Sequence, residues 1–142
     1  MKVSARNQLV GKVIDIIEGA VNNEVVLSLA HGEKLATIIT KESCGSLNIK
    51  KDGEAIAIIK APWVVLALPD CGLNFSARNQ FAGKVTQIVQ GAVNSTVHLE
   101  TAKGLELTAV ITNESLQEMM LAKGSDVLAL VKASSVIVAT RK

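Results

Sequence analysis

Most polar residues that recur in this chain at a spacing of 72 positions are hydrogen-bond donors. They are Ser4/Ser76, Arg6/Arg78, Asn7/Asn79, Gln8/Gln80, Lys12/Lys84, Asn22/Asn94, Thr40/Thr112, Ser43/Ser115, Lys51/Lys123 and Lys60/Lys132. One acid recurs strictly, Glu42/Glu114, and no histidine or cysteine does. A metal-cation site needs carboxylates, imidazoles or thiolates, and the shared set is too poor in them. A nucleophile–base pair is missing for the same reason, so the chain is expected not to be an enzyme. A donor set of Arg, Lys and Ser suits an anion, since Arg offers a planar fork, Lys a point charge and Ser a hydroxyl. It favours a tetrahedral oxyanion that is fully deprotonated over hydrogen phosphate, which must also donate a proton.

The best-placed donors define the candidate site. Ser4, Ala5 and Arg6 precede the first strong strand in an extended segment, as Ser76, Ala77 and Arg78 do in the second copy. Ser43 and Ser115 fall at helix starts, where unpaired N–H groups attract anions. Lys60 and Lys132 end strands just before a break. Ala20, Val21 and Asn22, repeated as Ala92, Val93 and Asn94, form a second candidate. A turn explains the Gly19 and Asn22 of that segment, and a backbone N–H nest for a second, weaker anion site is the other reading. Glu42 and Glu114 are accounted for by a helix start, where negative charge suits the helix dipole.

These residues are positioned by a whole small domain present twice. About 28 of 69 residue pairs at this offset are identical. Residues 2–68 and 74–142 are the two expected domains, joined by a linker at 69–73. In the first copy, Gly11–Glu18, Val25–Leu29, Leu35–Ile39, Ala55–Ile59 and Val64–Leu68 read as strands. Thr40 reads as a helix N-cap before one or two turns from Ser43 to Leu47. The second copy gives Gly83–Gln90, Val97–Thr101, Leu105–Ile111, a helix at Asn113–Met120, Val127–Val131 and Val136–Ala139. Ala61-Pro62 breaks the chain between the last two strands of the first copy. The expected fold is all-β with one short helix per domain: two tandem five-stranded antiparallel barrels of the oligonucleotide/oligosaccharide-binding type.

Composition narrows the function. The chain has 142 residues, 49% of them hydrophobic, and a net charge of +2. That charge is too small for a general nucleic-acid or membrane-surface binder. No apolar run reaches the roughly 18 residues of a membrane span. Base stacking needs aromatic platforms, and the chain has two phenylalanines, one tryptophan and no tyrosine. A single-stranded nucleic-acid binder is therefore the weaker alternative. Cys44 faces Leu116 across the repeat and Cys71 lies in the linker, so reduced thiols and a cytoplasmic location are expected. Each repeat is near the smallest size that buries a sufficient core alone, so apolar surface is expected to serve an interface as well.

Ser-Ala-Arg-Asn-Gln followed by Gly-Lys-Val, Gly-Ala-Val-Asn, Thr-x-x-Ser and Ile-Lys-Ala-Pro-Trp-Val resembles the molybdenum–pterin-binding domain of the molbindin family, twice over. The resemblance implies a protein that binds molybdate and tungstate rather than a pterin, with no further cofactor. It implies that Ser4, Arg6 and the backbone N–H of Ala5 hold the oxyanion, with Ser43 and Lys60 supplied across a domain interface. Ser76, Ala77, Arg78, Ser115 and Lys132 are the equivalents. It also implies a homotrimer, since single-domain relatives form six-domain rings. The chain starts at the domain, without room for a DNA-binding helix-turn-helix, and has no ATPase phosphate loop. A free-standing intracellular binder for storage or homeostasis is expected, with the ligand-sensing partner of a molybdate-responsive regulator as the alternative. Pro62-Trp63 becomes Ser134-Ser135 in the second copy, so the two kinds of site are expected to differ.

Overall fold

The computed structural model describes residues 2–142. The first repeat forms β1 (Asn7–Glu18), β2 (Asn22–Leu29), β3 (Lys34–Thr40), α1 (Lys41–Ser46) and β4 (Glu54–Ile59). A 3-10 turn at Ala61–Trp63 and a short β5 (Val65–Ala67) follow. The second repeat gives β6 (Asn79–Gln90), β7 (Asn94–Thr101), β8 (Glu106–Thr112), α2 (Asn113–Glu118) and β9 (Asp126–Val131). It ends in a 3-10 turn at Ala133–Ser135 and β10 (Ile137–Ala139). All ladders are antiparallel, and each sheet has five strands curled into a half-barrel.

The compact units are not the sequence repeats. The first unit runs to Ile59 and is completed by Lys132–Lys142; the second is Lys60–Val131. Their strand orders are β10-β4-β1-β2-β3 and β5-β9-β6-β7-β8. The last strand of each repeat therefore completes the sheet built from the other repeat's first four strands. Local geometry gives the reason. A tight hairpin from β4 into β5 would need residues with positive φ, and none of Lys60 to Val64 has one. Lys60 (φ −68°, ψ 139°) and Val64 (φ −88°, ψ 114°) are extended on either side of the 3-10 turn, so the chain runs on instead of folding back. The sheet edges accept the exchange because Val65-Leu66-Ala67 and Ile137-Val138-Ala139 are both apolar and share one burial pattern.

Burial follows the strand period. In β2, Asn23, Val25, Leu27 and Leu29 point inward while the residues between them are partly exposed. Residues Ala55–Ile59 of β4 are all buried, as befits an inner strand flanked by β1 and β10. Val13, Val25, Leu27, Leu35 and Ile59 form the heart of the first unit. Val85, Val97, Leu99, Leu107, Val127 and Val131 do so in the second. Bulges at Val13/Asp15 and Val85/Gln87 break the β1–β2 and β6–β7 registers at the same place, bending the two long strands.

Candidate functional site

Ser4, Ala5 and Arg6 lie immediately before β1, outside any ladder. Two recurrent residues fix this leader. The Gln8 side-chain amide donates to the carbonyls of Val3 (3.1 Å) and Ala5 (3.0 Å), and Gln80 does the same to Phe75 and Ala77 (both 3.0 Å). Buried Asn7 donates to the Ile59 carbonyl at 3.2 Å, and Asn79 to that of Val131 at 3.2 Å. Asn7 and Gln8 belong to the recurrent donors of the sequence. Their hydrogen bonds make them the scaffold that shapes the Ser-Ala-Arg leader, leaving Ser4 and Arg6 exposed on it.

Ser43 sits in the first turn of α1. Its backbone N–H donates to Oγ1 of the N-cap Thr40 at 3.0 Å, and the Thr40 hydroxyl donates to Ser43 Oγ at 2.8 Å. Thr112 and Ser115 repeat this at 3.1 and 2.9 Å. The cap expected at Thr40 is thus present. The backbone N–H of Ser43, however, is used by the cap and is not offered to an anion. Ser43 and Ser115 each accept from their threonine with one lone pair and keep their own hydroxyl proton to donate.

The Gly-Ala-Val-Asn turns pack against the helix starts. The Lys41 N–H donates to the Val21 carbonyl (2.8 Å) and the Asn113 N–H to that of Val93 (2.9 Å). The side chains of Lys41 and Asn113 reach the carbonyls of Gly19 (3.4 Å) and Gly91 (2.8 Å). Turn and helix thus brace each other, which supports the structural reading of Gly19-Ala20-Val21-Asn22 and Gly91-Ala92-Val93-Asn94. Val21 and Val93 stand at the surface, each 71% exposed.

Register separates the candidates within one unit. Arg6 leads into the Asn7 end of β1, which pairs with Ile59. Ser43 follows Thr40, which pairs with Asn22 beside the opposite, Glu18 end of β1. The twelve-residue β1 lies between them, roughly 35 Å of strand at about 3.3 Å per residue. The leader and Ser43 of one unit are therefore not one pocket. The exchange regroups the lysines. Lys132 precedes the 3-10 turn that packs on β3, the strand leading to Ser43. Lys60 precedes the equivalent turn packed on β8, the strand leading to Ser115. Lys60 therefore belongs to the unit of Ser115 and Lys132 to the unit of Ser43. This pairing by unit was not legible in the linear repeat. The Lys60 ammonium also lies 5.8 Å from the centre of the Trp63 ring. The second copy has Ser135 at that position.

No cluster of three or more His, Cys, Asp or Glu that could hold a metal ion occurs among the described residues. No helix among the described residues is long and apolar enough to cross a membrane. A cleft of about 580 Å³ in the second unit is lined by Pro69, Lys84, Thr86, Glu100 and Asp126 among others. It contains none of the candidate donors, and its counterpart in the first unit lies at Gly11, Lys12, Ser28 and Glu54. Both clefts carry acids, and the Lys84 ammonium is engaged by Asp126 at 2.7 Å, so neither is an anion site.

The fold defines a tandem pair of small β half-barrels, each sheet of five antiparallel strands. The TOBE-domain pattern matches residues 3–66 and again 76–138, and the chain belongs to the TOBE family. It is similar to the molybdenum transport protein ModE of Herbaspirillum seropedicae, 37% identical over 142 residues, 100% of this chain and 53% of that one. It is similar to the molybdenum-pterin-binding protein MopA of Rhodobacter capsulatus, 38% identical over 139 residues, 98% of this chain and 52% of that one. The chain thus spans about half the length of the curated relatives it matches. Among solved structures it is similar to the cytoplasmic molybdate-binding protein ModG with molybdate bound. That match has a TM-score of 0.94 and 43% identity, and covers 99% of this chain and 100% of the other. The resemblance to the molbindins and the mostly-β, two-sheet fold are borne out.

Proposed function

We propose that this chain binds molybdate and tungstate without catalysis, in the cytoplasm, as a molybdenum store or buffer. The observation that carries the reading is the recurrence of the donor set at matching positions of both units. One half-set is the leader, Ser4, Ala5 and Arg6 or Ser76, Ala77 and Arg78. The other is a hydroxyl and an ammonium, Ser43 with Lys132 or Ser115 with Lys60. A dianion held by arginine, lysine, hydroxyl and backbone N–H needs no organic cofactor and no cation. The ModG protein, similar along almost the whole of this chain, is described as a cytoplasmic molybdate binder, which supports the same ligand here.

The half-sets come together when copies of the chain assemble, and a homotrimer is the proposed form. Exposed apolar residues at matching positions support such assembly: Ile17 and Val89 (each 51%), Val65 (56%) and Ile137 (49%). The turns at Ala20, Val21, Asn22 and Ala92, Val93, Asn94 are proposed as a second, weaker class of anion contact. Titration calorimetry with molybdate, tungstate and sulfate tests the reading. Saturable binding of the first two is expected, with sulfate much weaker because the smaller anion leaves donors out of reach. Equal binding of sulfate and molybdate overturns the assignment. A second reading, an oxyanion sensor acting with a regulator, is favoured by the match to ModE over half that protein's length. Co-purification with a DNA-binding partner only when molybdate is present would favour it.

A further inference from the structure

The two lysines of the proposed site stand in different surroundings. The Lys60 ammonium lies 5.8 Å from the centroid of the Trp63 ring, within the range of a cation–π contact. Trp63 is the only tryptophan of the chain and is 38% exposed. Lys132 is preceded and followed by the same backbone, an extended residue and a 3-10 turn, but the matching turn is Ala133-Ser134-Ser135. The local fold is thus constant and the aromatic ring is the variable. Pro62 at the second position of the first turn stiffens the ring's mounting, and Ser134 replaces it in the second copy.

A free lysine side chain must give up most of its rotamer freedom to hold an anion. A ring under the ammonium restricts that freedom beforehand. It engages one face of the –NH₃⁺ group and leaves its other protons to donate outward. The ring neither neutralises the charge nor offers an acceptor oxygen that would compete with the anion. We propose that Trp63 is a positioning residue that pre-orders Lys60 and divides the oxyanion sites into two classes, the tighter built on Lys60 and Ser115 and the weaker on Lys132 and Ser43. The proposal rests on the reading of Lys60 and Lys132 as oxyanion ligands. Each chain supplies one lysine of each kind, so the classes are equal in number.

The test uses the full chain and sodium molybdate. Calorimetry on the unchanged protein resolves a tight and a weak class, and Trp63 emission, recorded in parallel, changes during the tight phase. Trp63→Ser weakens the tight class roughly two- to fivefold, the size of an exposed cation–π contact. Trp63→Phe, which keeps a ring, loses less. Ser135→Trp tightens the weak class by a similar factor without touching the Lys60 class. Both positions are at or near the surface, and far-UV circular dichroism confirms that each of the three variants keeps its sheets. Emission that follows the weak phase, or Ser135→Trp leaving both classes unchanged, overturns the proposal while the oxyanion reading stands. No molybdate binding by the unchanged chain overturns the oxyanion reading itself, and this proposal with it.

Discussion

Ser43 and Ser115 illustrate how residue-level roles divide in this protein. Each hydroxyl oxygen accepts from an N-cap threonine one long strand's length from its unit's leader, and its own proton is left to give. In the proposed site Arg6 and Arg78 would each give a dianion a charge-assisted contact, worth about 1.5–3 kcal/mol. Arg78→Ala should therefore weaken one class of oxyanion site roughly 10–150-fold in calorimetry and leave the thermal midpoint nearly unchanged. Lys103→Ala is the control: its counterpart is His31, it lies in a surface turn, and binding should not change. Parent-like binding by Arg78→Ala, with a loss in Lys103→Ala, would refute the use of recurrence as a guide to function. That guide worked for types of residue and less well for their duties. Asn7 and Gln8 recur as faithfully as Arg6, yet they hold carbonyls of the chain itself. A linear sequence marks a residue as kept; only the acceptor within reach of its amide says whether it serves the fold or the ligand.

At the scale of elements, the strands and the helix caps were legible because their signals are local. Alternating burial in β2 follows from residue period, and the Thr40 and Thr112 caps follow from a hydroxyl before an acidic first turn. Thr112→Ala should lower stability by about 1 kcal/mol in denaturant unfolding, and should also loosen Ser115, which loses its hydroxyl donor. The close approach of β1 to β2 and of β6 to β7 was not legible, since nothing local encodes it. A Cβ built on Gly83 would lie 2.8 Å from the Glu100 carbonyl oxygen, against 3.0 Å from Ser28 for Gly11. Gly83→Ala should thus push β6 from β7 and cost about 1–3 kcal/mol, with Gly11→Ala costing less. Urea midpoints of the two variants check both the size and the order. A Gly83→Ala protein as stable as its parent would mean that the strands separate at no cost.

For the whole molecule the decisive feature is the exchange of β5 and β10. Sequence reading assigned five strands to each repeat, and five strands do form each sheet, but the fifth comes from the other repeat. The linear pattern could not distinguish these outcomes. Val65-Leu66-Ala67 and Ile137-Val138-Ala139 are interchangeable at a sheet edge, and either assignment buries the same residues. The stretch from Lys60 to Val64 is extended on either side of its 3-10 turn and carries the chain away from β4. A consequence follows for a chain that stops at residue 72. Its β4 would have no β10 beside it, and its own β5 could not fold back. The open edge would expose Ile56, Ala57 and Ile58, which are 4%, 0% and 7% accessible in the full chain. The remedy is a second copy of the same fragment, each lending its β5 to the other's β4, as the two repeats do within one chain. Light scattering should find the fragment dimeric at every concentration at which circular dichroism finds it folded, with a thermal midpoint that falls on dilution. A fragment that stays folded as a monomer, with an undiminished midpoint, would show that β5 can return to its own sheet and that Lys60–Val64 does not direct the exchange.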